Sequence, residues 1–161
     1  MKGINLRVLQ PSRRRIKAGD IFVMQPADSL FVFGRVIRTG ARVGSMEGAI
    51  LIYIYKASSD DKSKVPSLEK ENLLLPPMLI SRSPWSGGYF ETIENRPLEE
   101  DDVLPVHCFE SISEPPTYHD DYAQELPGKV EPCGRLSLWF DLGISICVCE
   151  ALGIPVVERE E

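Results

Sequence analysis

The stretch DIFVMQPADSLFVFGRVIR, residues 20–38, decides the fold class, because two apolar runs stand in it on either side of a short break. Ile21 to Met24 predicts a short buried strand and Leu30 to Arg38 predicts a second, since both are rich in β-branched and aromatic residues. The loop from Pro26 to Ser29 is short enough to join them as a hairpin. Gly34 interrupts the second run, which indicates a bulge or a sharp bend.

A third strand is predicted from Ala49 to Tyr55, after a glycine-rich connection. Three sequential strands with a bend are typical of a meander that curls towards a small barrel. Further strands are predicted at Met78 to Ile80, Tyr89 to Ile93, Val103 to Phe109 and Leu136 to Phe140. We therefore predict an α+β fold that is mainly β: a strongly bent antiparallel sheet, or a partly open small barrel, with one or two short helices.

Three other segments complete the secondary-structure prediction. Leu68 to Leu75, with Ser67 as a cap and Pro76-Pro77 as a stop, predicts a short helix. Gly143 to Leu152 is left open between strand and helix, because β-branched residues at its start favour a strand and its end resembles the end of a helix. Tyr118 to Cys133 contains prolines, a glycine and acids, and is predicted to be a long loop.

The length of 161 residues fits a single domain. We expect an N-terminal arm at residues 1–16, one domain at residues 17–155 and an acidic C-terminal tail at residues 156–161. The start lacks the apolar core of a signal peptide, and no apolar run approaches the roughly 20 residues of a membrane span. The expected location is therefore the cytoplasm, where we interpret the four cysteines as reduced, partly buried thiols.

Charge is distributed unevenly along the chain. Residues 1–56 hold ten Lys/Arg and three Asp/Glu, whereas residues 57–161 hold eight against twenty-one. The stretch from Glu91 to Glu131 has twelve acids, and Arg96 and Lys129 are its cations. The negative electrostatic field of such an acidic stretch repels nucleic acid and favours a basic partner. The alternative is a solvated acidic surface that keeps the protein soluble.

Four short motifs resemble the immunity protein 26 family. They are KAGDIF at residues 17–22, FGRV at 33–36, PWSGGYFETI at 84–93 and VHCF at 106–109, within a region from Lys17 to about Leu152. The resemblance implies an immunity protein of a bacterial polymorphic-toxin system, which stays in the producer's cytoplasm and binds and neutralises a toxin.

Two alternatives to a toxin-binding protein remain open. The family grouping includes a protein described as a phosphotriesterase, which implies a hydrolase. The Gly-Asp-Ile-Phe opening at residues 19–22 is also similar to SH3-like barrels of the toxin–antitoxin type, which implies an interaction module for another protein or RNA. An RNA-binding surface would need basic residues interleaved with aromatic residues. The nearest approach to this pattern in the chain is the set Arg35, Arg38, Arg42 and Lys56. We interpret the aromatics beside them as core.

The residues predict no active site. His107 and Cys108 are adjacent, so on a strand their side chains point to opposite faces and form no catalytic pair. No Gly-x-Ser-x-Gly elbow frames a serine, and the glycines from Gly40 to Gly48 lack the Gly-Lys-Ser/Thr of a phosphate loop. His119-Asp120-Asp121 is the tightest group of metal-ligand types, but the chain has two histidines in all. We expect no catalytic residue, metal or cofactor.

The expected partner is a cognate toxin protein with a basic surface, and we expect neither a membrane nor a nucleic acid as partner. Acidic side chains would steer such a toxin towards the protein. An exposed Trp next to Pro84 in a turn would serve as an anchor, although a core position is the alternative. The predicted contact residues are Glu99, Glu100, Asp101, Asp102, Asp120, Asp121 and Trp85.

Overall fold

A computed structural model describes residues 1–159, so residues 160 and 161 of the predicted acidic tail lie outside the described residues. The strands are β1 (Asp20–Ala27), β2 (Leu30–Val43), β3 (Met46–Ser59), β4 (Met78–Ile80), β5 (Glu91–Asn95), β6 (Cys108–Glu110), β7 (Tyr118–His119), β8 (Glu125–Leu126), β9 (Cys133–Arg135) and β10 (Leu138–Trp139). The helices are α1 (Ser83–Ser86), α2 (Asp141–Leu152) and a one-turn 3-10 helix (Glu100–Asp102).

The strands form two open sheets. The larger sheet has six strands in the order β10-β4-β3-β2-β1-β5, and the smaller has four in the order β8-β7-β6-β9. The pairs β10–β4 and β6–β9 are parallel, and the other pairs are antiparallel. The predicted α+β fold, mainly β with two short helices, is confirmed: the described strands form two open sheets rather than a closed barrel, and each sheet contains one parallel pair.

The central element is the β2–β3 hairpin, in which each strand has 14 residues. Both strands run further than their apolar runs predict, because the polar ends also pair with each other. A one-residue irregularity in the pairing at Ile37 changes which side chains share a face. Arg35 lies opposite Tyr53 and Arg38 lies opposite Leu51, and directly opposed residues share a face. The bulge therefore places both arginines on one side of the sheet, although their spacing of three predicts opposite sides.

Gly34 marks the irregular pairing that the sequence predicts, since the β2–β3 register shifts between Val32 and Gly34. A side chain at this position would have no room. A Cβ on Gly34 would lie 2.8 Å from the carbonyl oxygen of Tyr53 and closer still to the ring of Phe22. The glycine is therefore required by the close approach of an aromatic ring to the strand.

The larger sheet is covered on both faces. On one face, Phe22, Trp85 and Phe90 pack their rings at centroid distances of 4.4 to 5.2 Å, and Ile144 and Val148 of α2 join the same core. On the other face lies a second core, made by Leu51, Tyr53, Tyr55 and Phe109 among others. Phe109 belongs to β6, so the smaller sheet covers the face that carries Arg35 and Arg38.

The helix predicted at Leu68 to Leu75 is wrong. These residues form turns that run beside β3: Leu73 pairs with Tyr55, and the Leu74 N–H donates to the carbonyl of Ile54 at 2.8 Å. Because β4 pairs only with Ile50 to Ile52 of β3, the later part of β3 can bond this segment through its backbone, and those bonds compete with helix formation. Three consecutive leucines also lack the spacing of three and four that one helix face needs.

For three further segments the structure decides an open alternative or corrects a prediction. Gly143 to Leu152, which the sequence left open, belongs to helix α2, and Gly153 ends it in the left-handed conformation at φ 70°. Of the strand predicted at Val103 to Phe109, the part that forms begins at Cys108. The loop predicted at Tyr118 to Cys133 contains β7 and β8 and ends at β9. The sequence did not predict these strands because they are short and polar and show no alternation of apolar residues.

The N-terminal residues 1–16 lie along the domain. Leu6 is buried, and the Leu9 N–H donates to the carbonyl of Gly88 at 2.8 Å. Among the described residues, no helix combines the length and the apolar character needed to cross a membrane, and the longest, α2, has 12 residues.

Candidate functional site

Two acidic segments are held against β2 by the two arginines that the bulge brings to one face. The first segment contains the 3-10 helix. The Arg35 side chain is buried, and its Nη1 lies 3.4 Å from Oδ2 of Asp102. Its Nη2 donates to the carbonyl of Arg96 at 2.6 Å. One buried guanidinium therefore fixes both ends of the stretch from Arg96 to Asp102.

Within this stretch, the carboxylates point in different directions. The Glu99 N–H donates to Oδ2 of Asp102 at 2.8 Å, which caps the 3-10 helix. Asp102 therefore faces inward, where it meets both this N–H and Arg35. Glu99, Glu100 and Asp101 are exposed. Three exposed carboxylates thus lie on one short turn with a fixed backbone, and that of Glu99 also caps the turn by accepting the Asp102 N–H.

The second segment is the turn from Asp120 to Tyr122. Nε of Arg38 donates to Oδ2 of Asp121 at 2.7 Å, and Nη2 of Arg38 donates to the carbonyl of the same residue at 2.6 Å. Asp121 is only 4% exposed. The ring of Tyr122 lies over the Arg38 guanidinium, 3.9 Å from its carbon to the ring centroid. Tyr122 is 57% exposed, so it is an aromatic surface residue held in place from below.

Asp120 shapes the same turn. Its Oδ1 accepts hydrogen bonds from the N–H groups of Tyr122 and Gln124, both at 2.9 Å. Such bonds to the next residues are the ordinary use of Asp in a turn. Asp120 is half-buried, and its role here is to set the position of Tyr122.

A buried hydrogen-bond chain connects this turn to β3. The Leu104 N–H donates to the Tyr53 hydroxyl at 2.9 Å, and that hydroxyl lies 2.6 Å from Nε2 of His107. Burial raises the pKa of Tyr53 to about 12, so the hydroxyl keeps its proton. On the other side of the His107 ring, Nδ1 lies 3.4 Å from Oδ1 of Asp121.

Asp121 is ionised in this setting. Burial by itself would raise the pKa of its carboxyl, but the hydrogen bonds from His107 and Arg38 outweigh that effect and lower the pKa to about 2. The Asp121 carboxylate thus interacts with both the Arg38 guanidinium and the His107 ring. The Tyr53–His107–Asp121–Arg38 chain is a structural support, because the hydroxyl at its far end is buried and meets no solvent.

An open cavity of about 370 Å³ lies beside the turn from Asp120 to Tyr122. Its walls include Val103, Leu104 and Val106, which follow the first segment, and Asp120 and Tyr122 of the second. Val106 and Tyr122 are exposed apolar residues at this cavity. This side of the larger sheet therefore carries exposed apolar and aromatic side chains at the cavity and, on the segment held by Arg35, exposed carboxylates, a mixture that protein-binding surfaces also have. We call it the acidic face: Glu99 to Asp102, Val103 to Val106, and Asp120 to Tyr122.

The structure brings six of the seven predicted contact residues to this face and separates the seventh. Trp85 lies in the core on the opposite side of the larger sheet, is 2% exposed, and donates from Nε1 to Oγ1 of Thr92 at 3.2 Å. As a core residue it offers no surface to a partner. Helix α1 turns it inward, which the neighbouring proline does not reveal. Asp102 and Asp121 also point inward, so the exposed predicted acids are Glu99, Glu100 and Asp101.

Five residues that shape the face were not predicted as part of it: Arg35, Arg38, Tyr53, His107 and Tyr122. The arginines of β2 had been considered as nucleic-acid contacts, yet Arg35 and Arg38 are engaged by Asp102 and Asp121. No spacing rule could have paired Arg38 with Asp121 across 83 positions. The abundance of acids between Glu91 and Glu131 is the sequence signal that pointed to the region.

The other chemical candidates do not come together. His119 approaches Thr117, with Nε2 2.8 Å from Oγ1, whereas Asp120 and Asp121 face the turn and Arg38. Among residues 1–159, no group of three or more His, Cys, Asp and Glu side chains is arranged to hold a metal ion. The His107 ring lies against Tyr53 and Asp121, whereas Sγ of Cys108 lies 3.3 Å from Sγ of Cys133.

Comparison with protein-family models matches residues 17–115 to the family described as Immunity protein 26. The match covers more than half of the chain and includes β1 to β6, Arg35 and Arg38 of β2, and the 3-10 helix. It begins where the resemblance in the sequence begins and ends before the turn from Asp120 to Tyr122. No curated protein and no solved structure matches the chain.

Proposed function

The chain belongs to the immunity protein 26 family, and from that premise we propose that it is a non-catalytic inhibitor that binds and neutralises a cognate bacterial toxin through the acidic face. The observation that carries the proposal is the set of three exposed carboxylates, Glu99, Glu100 and Asp101, held on one rigid turn. Among the described residues none of the three takes part in an ion pair. Their charge is therefore free to attract a basic partner.

The acidic face is organised before any partner arrives. Arg35 holds one segment and Arg38 holds the other, so binding need not order either of them. A surface that is already ordered loses less conformational entropy on binding, which favours a tight complex. This property suits an inhibitor that must capture a toxin at low concentration.

We assign the anchoring role to Tyr122. Tyr is frequent among the residues that dominate binding energy, and here the ring is exposed while its inner face rests on Arg38. Val106 and the cavity of about 370 Å³ beside it give a long basic side chain of the toxin an apolar wall and nearby carboxylates. Inhibition is then steric, since the bound protein covers the toxin's active site.

The experiment uses the toxin encoded beside this chain and measures its association rate with the purified full-length protein. The test variant is Glu99→Lys/Glu100→Lys/Asp101→Lys. The matched control, Asp28→Lys/Asp60→Lys/Glu150→Lys, changes the same charge at exposed positions outside the acidic face. We expect the test variant to associate at least about tenfold more slowly at low salt, and the control much less so.

Equal association rates for the wild-type protein and the test variant would contradict the acidic face as the binding surface. Such a result would leave family membership intact and would move the interface elsewhere.

A further inference from the structure

Cys108 and Cys133 are neighbours in the parallel pair of β6 and β9. Their Cα positions are register partners, and their Sγ atoms are 3.3 Å apart. Cys108 is 0% exposed, whereas Cys133 is partly exposed. Both are free thiols in this structure.

We propose that Cys108 and Cys133 are a site of reversible disulfide formation with small disulfide compounds such as oxidised glutathione. A disulfide needs Cα atoms about 4.4 to 6.8 Å apart and sulfur atoms about 2.05 Å apart. Paired residues on adjacent strands meet the first requirement, because neighbouring strands lie about 4.8 Å apart. The second requires the two sulfur atoms to approach by a little over 1 Å, which small side-chain rotations provide.

The exchange proceeds in two balanced steps. The thiolate of Cys133, the more exposed of the two, attacks one sulfur of oxidised glutathione, forms a mixed disulfide and releases one glutathione thiolate. The deprotonated sulfur of Cys108 then attacks the Cys133 sulfur and displaces the second glutathione. Overall, two protein thiols are oxidised to one disulfide, and one oxidised glutathione is reduced to two glutathione thiols.

The surroundings make this exchange slow at neutral pH. Burial is the main cause that raises the pKa of Cys133 to about 12, and the neighbouring Cys108 raises it further. The thiolate, which is the attacking form, is therefore scarce. Well below the pKa, its population and the reaction rate rise about tenfold for each pH unit.

The bond would close a covalent loop around residues 109–132. This loop contains β7, β8 and the turn from Asp120 to Tyr122. Oxidation would therefore restrain one of the two segments of the acidic face. This consequence for toxin binding rests on the proposed function, but the formation of the bond does not.

The chain contains its own comparison pair. Cys147 and Cys149 are two positions apart on α2, so their side chains point about 200° apart around the helix axis and cannot bridge there. Cys147 is half-buried and Cys149 is buried. An oxidant that merely reacted with thiols in general would not select Cys108 and Cys133.

The test incubates the folded, reduced full-length chain with oxidised glutathione at pH 8, and then counts thiols after denaturation. We expect the number to fall from four to two, and peptide mapping to join the segments that contain Cys108 and Cys133. Dithiothreitol should restore all four thiols. Cys147→Ser/Cys149→Ala should go from two thiols to none, and Cys133→Ser should keep its three.

Peptide mapping of the oxidised wild-type chain tests the proposed disulfide without any variant. Four remaining thiols, a stable mixed disulfide on Cys133, or a bond that involves Cys147 or Cys149 would each overturn it. Because the toxin is absent from this experiment, failure of the disulfide has no bearing on the proposed inhibition.

Discussion

Arg38 and Asp121 are joined by two hydrogen bonds, from Nε to Oδ2 at 2.7 Å and from Nη2 to the carbonyl oxygen at 2.6 Å. The pair connects the long β2–β3 hairpin to a turn of the smaller sheet. Arg42 adds a third bond from its N–H to the same carbonyl at 2.9 Å. The acidic turn is therefore an integral part of the fold, and its loss should be measurable as a loss of stability.

Asp121→Asn should lower the free energy of unfolding by about 2–4 kcal/mol at pH 7, because it leaves the partly buried Arg38 without its counter-charge. The measurement is urea denaturation. Asp101→Asn, at an exposed carboxylate, is the control and should change stability by less than about 0.5 kcal/mol. Equal stabilities of the Asp121→Asn variant and the wild type would show that the pair contributes nothing.

Asp121 also predicts a pH dependence. Its carboxyl has a pKa of about 2 in the folded protein, below the ordinary value, so its ionisation stabilises the fold above that ordinary value. This contribution, on the order of 1–2 kcal/mol, should decline as the pH falls from about 5 through 2. Stability measured between pH 6 and pH 3 should therefore fall more steeply for the wild type than for Asp121→Asn. If the stability of the wild type and of Asp121→Asn fell equally with pH, the lowered pKa of Asp121 would be contradicted.

Tyr53→Phe should destabilise the protein by about 2–3 kcal/mol, since it leaves the Leu104 N–H and Nε2 of His107 without their buried partner. Tyr118→Phe removes a hydroxyl that bonds Glu110 at a less buried position, and should cost about 0.5 kcal/mol. Thermal denaturation of both variants provides the comparison. A smaller effect at Tyr53 than at Tyr118 would be inconsistent with the buried chain.

Gly34→Ala should destabilise the central hairpin by about 3 kcal/mol or more, because the added methyl group would collide with Phe22 and the backbone of Tyr53. Gly128→Ala is the matched control, as nothing lies within 4 Å of the position that its Cβ would take. Chemical denaturation should separate the two clearly. If Gly34→Ala were as stable as Gly128→Ala, the close approach of Phe22 would be refuted.

Tyr122→Ala should increase the dissociation rate of the toxin complex about 30-fold, which corresponds to the roughly 2 kcal/mol of a dominant contact residue. The control is Ile112→Ala, since Ile112 is 91% exposed and lies outside the acidic face. Surface plasmon resonance measures both rates. Unchanged dissociation for Tyr122→Ala would remove the anchoring role.

The positions of the first three strands could be predicted because each contains one apolar run that the core takes up directly, although the polar ends of β2 and β3 extend beyond those runs. The arrangement of the acidic face could not be predicted in the same way. It depends on one extra residue, Ile37, which turns Arg38 to the face of Arg35. A bulge of this kind follows from the pairing of two whole strands and has no local signature.

Burial explains the remaining differences in the site. Acid-rich composition singled out the segment from Glu91 to Glu131 but could not tell which carboxylates turn inward to meet an arginine. Trp85 stands in a segment with the residues of a turn, yet its ring completes the core beside Phe22 and Phe90. The contact between His107 and Tyr53 joins residues 54 positions apart, so it arises only when the second core assembles.

The most direct test of the central claim is growth of bacteria that express the neighbouring toxin with or without this chain. The account predicts that wild-type protein restores growth, that Glu99→Lys/Glu100→Lys/Asp101→Lys restores it poorly, and that the Asp28, Asp60 and Glu150 control restores it fully. No restoration by wild-type protein that is expressed and folded would contradict the account.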